Sequence, residues 1–171
     1  MFIPHAVEQY PEIVSLIHSI SIPPGLRPIY GDERQLKQVV HYLVGRASRL
    51  HTGEISEKTP ALHIKVCITA ENMNLYERND FSLEEGEYIR VFFKNHDRVI
   101  PPEQMEKLFE PSFSCEKYLN RKEPGLDLAI CHSIIKKHSG HIAVVSEPGN
   151  GTVFDLILPA YNEGMDREYG I

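Results

Sequence analysis

Gly31-Asp32-Glu33-Arg34-Gln35-Leu36-Lys37-Gln38-Val39-Val40 opens the clearest element of the chain. From Asp32 onward, apolar residues fall at Leu36, Val39, Val40, Leu43, Val44, Ala47 and Leu50. Intervals of three and four lay one apolar stripe along a helix. Asp32 is placed to cap it, with Gln35 three residues on as the weak second half of a capping box. His51-Thr52-Gly53 ends the element.

Outward from this helix the pattern alternates between strand and helix. Residues 12–20 fit a strand or a short helix, since periodicity does not decide, with the strand preferred, and Pro23-Pro24-Gly25 stops the element. After the helix, Leu62, Ile64, Val66 and Ile68 alternate with polar or small residues, as in a half-buried strand. Residues 71–87 are polar and acidic and read as a long loop or hairpin tip. Residues 88–93 form the next strand. Residues 102–109 read as a short helix with Pro102 at its start. A helix follows from Leu126 to His138, closed by Ser139-Gly140. Ile142 and Val144 mark a strand, Pro148-Gly149-Asn150-Gly151 a hairpin turn, and 152–158 the return strand. This order predicts an α+β fold. It is a two-layer α/β sandwich, a mixed β-sheet with helices on one face. The expected division is an extension over 1–11, one domain over 12–159 and a polar tail over 160–171.

Composition narrows the function. A length of 171 residues with 42% hydrophobic content supports one domain with a real core. The formal charge of −6 argues against a general nucleic-acid binder, with room left for a local basic patch. No apolar run is long enough to span a bilayer, and the first residues lack the pattern of a signal peptide. Cys67, Cys115 and Cys131 are too far apart for a zinc ribbon or a disulfide frame. The expected setting is a reducing cytoplasm, with no membrane contact by this chain.

Three stretches now resemble a known family, the ATP-binding domain of sensor histidine kinases. Gly31 through Val40 is similar to the entry to the helix that bears the family's asparagine box. Val99-Ile100-Pro101-Pro102-Glu103, with Leu108-Phe109-Glu110-Pro111-Ser112-Phe113, resembles the end of the first glycine box and the phenylalanine box. Gly125 through Ile130, then His138-Ser139-Gly140-His141-Ile142, then Ser146 through Phe154, resembles the second glycine box and the closing hairpin. The resemblance covers about residues 12–159. It implies the fold shared by the gyrase, heat-shock chaperone and mismatch-repair ATPases.

The same resemblance locates a nucleotide pocket whose chemistry has changed. Tyr42 and Arg46 stand where the family presents two asparagine-type side chains one turn apart. Arg46 has no lone pair for magnesium and repels it. It would either contact a phosphate directly or sit in a pocket that no longer binds. The first glycine box reads Asn95-His96-Asp97-Arg98-Val99. Asn95 keeps an acceptor for an adenine amino group, whereas Asp97 and Val99 replace glycines that let backbone approach a ligand. In the second box only Gly125 remains, and Asp127 supplies its own anion to a helix N-terminus. Thr152 completes the positions of this altered pocket. Lys117, Arg121 and Lys122, in the lid from Ser112 to Pro124, could grip phosphates or belong to a solvated loop.

No metal-ligand spacing appears among the nine histidines, and no catalytic residue is assigned. No phosphoacceptor histidine on a helical hairpin is present, so autophosphorylation by this chain alone is not expected. Three functions follow. The first is a non-catalytic regulatory or protein-interaction module in bacterial two-component-type signalling, with ATP binding weak or lost. The second is an active, atypical ATP-binding kinase or ATPase domain. The third is a phosphotransfer or dimer scaffold. No cofactor is expected under the first reading. ATP or ADP with magnesium would be held only if the altered pocket is still competent. The expected partner is a histidine kinase or a receiver-domain protein, with a homodimer left open.

Overall fold

The computed structural model describes residues 17–49, 66–75, 83–95, 99–111 and 126–161. The elements, in chain order, are β1 (Ile17–Ser21), α1 (Glu33–Arg49), β2 (Val66–Leu75), β3 (Gly86–Asn95), α2 (Pro102–Met105), α3 (Leu126–Lys137), β4 (His141–Glu147) and β5 (Gly151–Pro159). The five strands form one mixed sheet in the order β1-β2-β3-β5-β4. β1 runs parallel to β2 across the α1 connection, and every other pairing is antiparallel. This is the α/β sandwich that the sequence predicts.

The alternation of strand side chains places the core. Ile68 and Ala70 of β2, Ile89, Val91 and Phe93 of β3, and Phe154, Leu156 and Leu158 of β5 all point to one face. Leu36, Val39, Val40, Leu43 and Val44 of α1 cover that face, together with Leu128, Cys131, Ile134 and Ile135 of α3. The stripe read from the sequence is buried from Leu36 to Val44, and its last members, Ala47 and Leu50, lie outside the residues whose side chains are described. Deleting a side chain such as Leu43, which is fully buried, costs ~2–5 kcal/mol.

Local chemistry sets the ends of these helices. Asp32 Oδ1 accepts the Gln35 N–H at 3.1 Å, and Gln35 Nε2 donates back to Asp32 Oδ2 at 3.1 Å. The Gln35 N–H, aided by Arg34, holds the Asp32 carboxyl below the usual carboxylate value. At the far end of α3, Ser139 N–H bonds the Lys136 carbonyl and Gly140 N–H bonds the Ile135 carbonyl. That pattern is a Schellman cap whose left-handed residue is Ser139, with φ 53°. In the β4–β5 turn, Pro148 and Gly149 occupy the centre of a type II turn. Gly149 has φ 84°, and Asn150 N–H bonds Glu147 O at 3.1 Å.

Three boundaries differ from the sequence reading. The stretch 71–75, expected in a loop, continues β2, and β3 begins at Gly86 rather than 88. Asn72 and Asn74 continue the strand face of Ile68 and Ala70 but are exposed, and Arg27 bonds both. Its N–H donates to Asn72 Oδ1 at 3.0 Å, and its guanidinium reaches Asn74 Oδ1 at 2.9 Å and Glu87 at 2.9 Å. The helix expected over 102–109 is α-helical only to Met105. Its continuation closes turns three residues apart, Leu108 N–H to Met105 O among them. The first strand is described from Ile17, and residues 12–16 lie outside the described residues.

Candidate functional site

Of the positions singled out from the sequence, Asn95, Thr152 and Asp127 are described toward one end of the sandwich. Asn95 is the last residue of β3 and Thr152 the second of β5, and the two are register partners. Both are fully buried, although both are polar. Thr152 Oγ1 lies 2.8 Å from Ser146 Oγ, and the Ser146 oxygen accepts the Ile100 N–H at 2.7 Å. The chain leaving β3 is therefore fastened to the β4–β5 hairpin through a serine. Ile100 itself is buried beneath it. Sequence reasoning quoted Ser146 and Ile100 within its motifs but gave neither a role. Only register pairing shows the link between them.

Tyr42 sits midway along α1, half-buried, with its ring packed onto the core. Gln38, one turn earlier, donates its Nε2 to the phenol oxygen at 3.0 Å. Its position thus presents an aromatic surface and a hydroxyl that is already engaged. Asp127 lies in the first turn of α3, the helix that packs against α1. One turn on, the Cys131 thiol is pushed far up by burial and, next, by the Asp127 charge. Phe109, from the turn after α2, meets the His132 ring at 5.5 Å. Arg46 falls within α1, but its side chain lies outside the described residues, as do Asp97, Gly125, Lys117, Arg121 and Lys122.

The chemistry available among the described groups is limited. Asn95 and Thr152 offer neutral hydrogen-bonding groups, and Asp127 offers a carboxylate at a helix N-terminus, where it answers the helix dipole. Among the described residues no group of three or more His, Cys, Asp or Glu side chains could hold a metal ion. None of the described helices is long and apolar enough to cross a membrane.

A cleft of about 1030 Å³ lies at the opposite end, between 29–32, 83–88, 136–140 and Pro159–Ala160. It is lined by motif residues such as Gly31, Asp32 and His138 but by none of the candidate nucleotide-pocket positions. It opens beside the first residues of β3, while Asn95 is the last.

Comparison with known proteins follows the same lines. Residues 31–162 match the family model described as histidine kinase-, DNA gyrase B-, and HSP90-like ATPase. The chain is 28% identical over 158 residues to the adaptive-response sensory kinase SasA of Crocosphaera subtropica, covering 91% of this chain and 36% of that protein. It is 28% identical over 144 residues to the sensor histidine kinase RcsC of Escherichia coli, covering 82% of this chain and 13% of that one. The chain thus spans well under half the length of these relatives. Among solved structures, the catalytic domain of histidine kinase ThkA in a nucleotide-free form matches with a TM-score of 0.65 and 27% identity. The match covers 93% of this chain and 90% of that one.

Proposed function

The chain belongs to the histidine kinase-, DNA gyrase B- and HSP90-like ATPase family, and from that membership we propose that it is a member whose nucleotide pocket has been given over to regulation. In this reading it is a non-catalytic module of two-component-type signalling, with ATP binding weak or lost. It works by contact with a histidine kinase or a receiver-domain protein. The names of its relatives as sensory kinases support the signalling context.

One observation carries the reading. In the register that the resemblance implies, Tyr42 and Arg46 stand in α1 where the family has two asparagine-type residues. Tyr42 is packed on the core with its hydroxyl engaged by Gln38, and an arginine cannot ligate magnesium. The framework survives because it is made of the apolar residues of α1, α3 and the sheet. Those are independent of the positions that have changed. Fold retention therefore does not imply retained chemistry.

Titration calorimetry with ATP and ADP, with and without magnesium, tests this. The expected result is no heat of binding below millimolar nucleotide. Micromolar, magnesium-dependent binding sinks the proposal and favours an active, atypical kinase domain. Loss of that binding in Arg46→Ala would then show that the arginine contacts the phosphates.

A further inference from the structure

We propose that His138 is a proton-sensitive latch that joins the start of α1 to the end of α3. Both of its ring nitrogens have roles set by their partners. Nδ1 lies 2.7 Å from the Ile134 carbonyl, which can only accept. Nε2 lies 3.0 Å from the Asp32 backbone nitrogen, whose N–H can only donate. A single tautomer satisfies both bonds: neutral imidazole, with its hydrogen on Nδ1 and a lone pair on Nε2.

Close packing holds the ring in that position. A Cβ at Gly31 would stand 2.4 Å from His138 Cδ2 and 2.9 Å from Nε2, so the absence of a side chain there is what admits the imidazole. A second proton, on Nε2, sets a donor against the Asp32 donor. The bond is lost, the ring turns away, and two elements that are 106 residues apart in sequence lose their direct hydrogen bond. Imidazoles are the side chains that exchange a proton in mildly acid solution.

The latch lies in the wall of the cleft at this end of the sandwich. Glu84, Glu85 and Glu87 face it from the β3 side, Lys136 and Lys137 from the last turn of α3, and the Asp32 carboxylate from the start of α1. The phenols of Tyr30 and Tyr88 complete the titratable set among the described residues. Two of the carboxylates are already engaged, Asp32 by Gln35 and Glu87 by Arg27. Release of the latch frees the cleft wall formed by 29–32 from the wall formed by 136–140. This inference stands apart from the proposed function and does not depend on nucleotide binding.

The test is a titration of the whole chain from about pH 7.5 to about 5.5, across the ordinary imidazole range. Wild type is compared with His138→Gln, whose amide oxygen can accept the Asp32 N–H but does not titrate. Nitrogen-15 spectra of wild type should show the Nδ1-protonated tautomer at the upper limit. As Nε2 gains its proton, the Asp32 amide resonance should move in step, and its exchange protection should fall about tenfold. The melting temperature of wild type should drop about 2–4 °C further than that of the variant, the size expected for one hydrogen bond in a domain of this length. An Nε2-protonated tautomer near neutrality, or an Asp32 amide that ignores the His138 titration, overturns the proposal. The spectral arm needs only wild type, so it decides the question even if the variant fails to fold.

Discussion

Arg90 and Asp155 form a forked ion pair on the sheet face away from the helices. Arg90 Nε donates to both Asp155 oxygens, at 2.9 and 3.1 Å, and a terminal nitrogen donates to Oδ2. The guanidinium also lies 4.5 Å over the Phe92 ring. The Asp155 side chain is only 6% exposed, against 28% for Arg90. Removing Arg90 therefore strands a buried carboxylate. Arg90→Met should cost about 3 kcal/mol in urea unfolding, the low end for a broken buried pair because Arg90 retains contact with water. Arg90→Met with Asp155→Leu should recover most of the loss. The Asp155 hydrogen bond raises the Arg90 pKa above its ordinary value. The arginine's side of this contribution is thus fully present through neutral pH and is lost as pH rises through that raised value.

Ser139 carries the left-handed turn of the α3 cap, a conformation that glycine adopts without a Cβ penalty. Ser139→Gly should stabilise the chain by up to about 1 kcal/mol. By differential scanning calorimetry, that corresponds to a rise of about 2–4 °C in melting temperature. Ser139→Val should lower it, because a β-branched residue is a poor occupant of that region.

Cys131 should be silent to thiol reagents in the folded chain. Its side chain is fully buried, and burial followed by the Asp127 charge drives the thiol far from ionising. Labelling with a chromogenic disulfide at neutral pH should modify it only at the rate of unfolding. Asp127→Asn should leave that rate limited by access, since burial is the larger cause.

The sequence was most legible where one physical requirement dominates. Leu36, Val39, Val40, Leu43 and Val44 must all face a sheet, so their spacing showed α1 directly. The outer half of β2 was not legible, because Asn72 and Asn74 are satisfied by Arg27 from a distant loop rather than by apolar contact. Long-range hydrogen bonds leave no periodic trace. The pocket shows the same division. Asn95 and Thr152 were found from a resemblance of motifs, and the structure pairs them across two strands. Ser146, which fastens Ile100 beside them, needed the register of β4 on β5. The link from Asp32 to His138 was hidden for the same reason.

α3 is a twelve-residue helix with Asp127 in its first turn and the His138 latch just past its last. Those residues are about 16 Å apart at the rise of an α-helix. A rigid rod of that length works as a lever arm. A tilt of a few degrees at the proposed latch would move the Asp127 end by about 1 Å, enough to change a hydrogen bond there. The two ends of this molecule, so different in chemistry, share one mechanical axle.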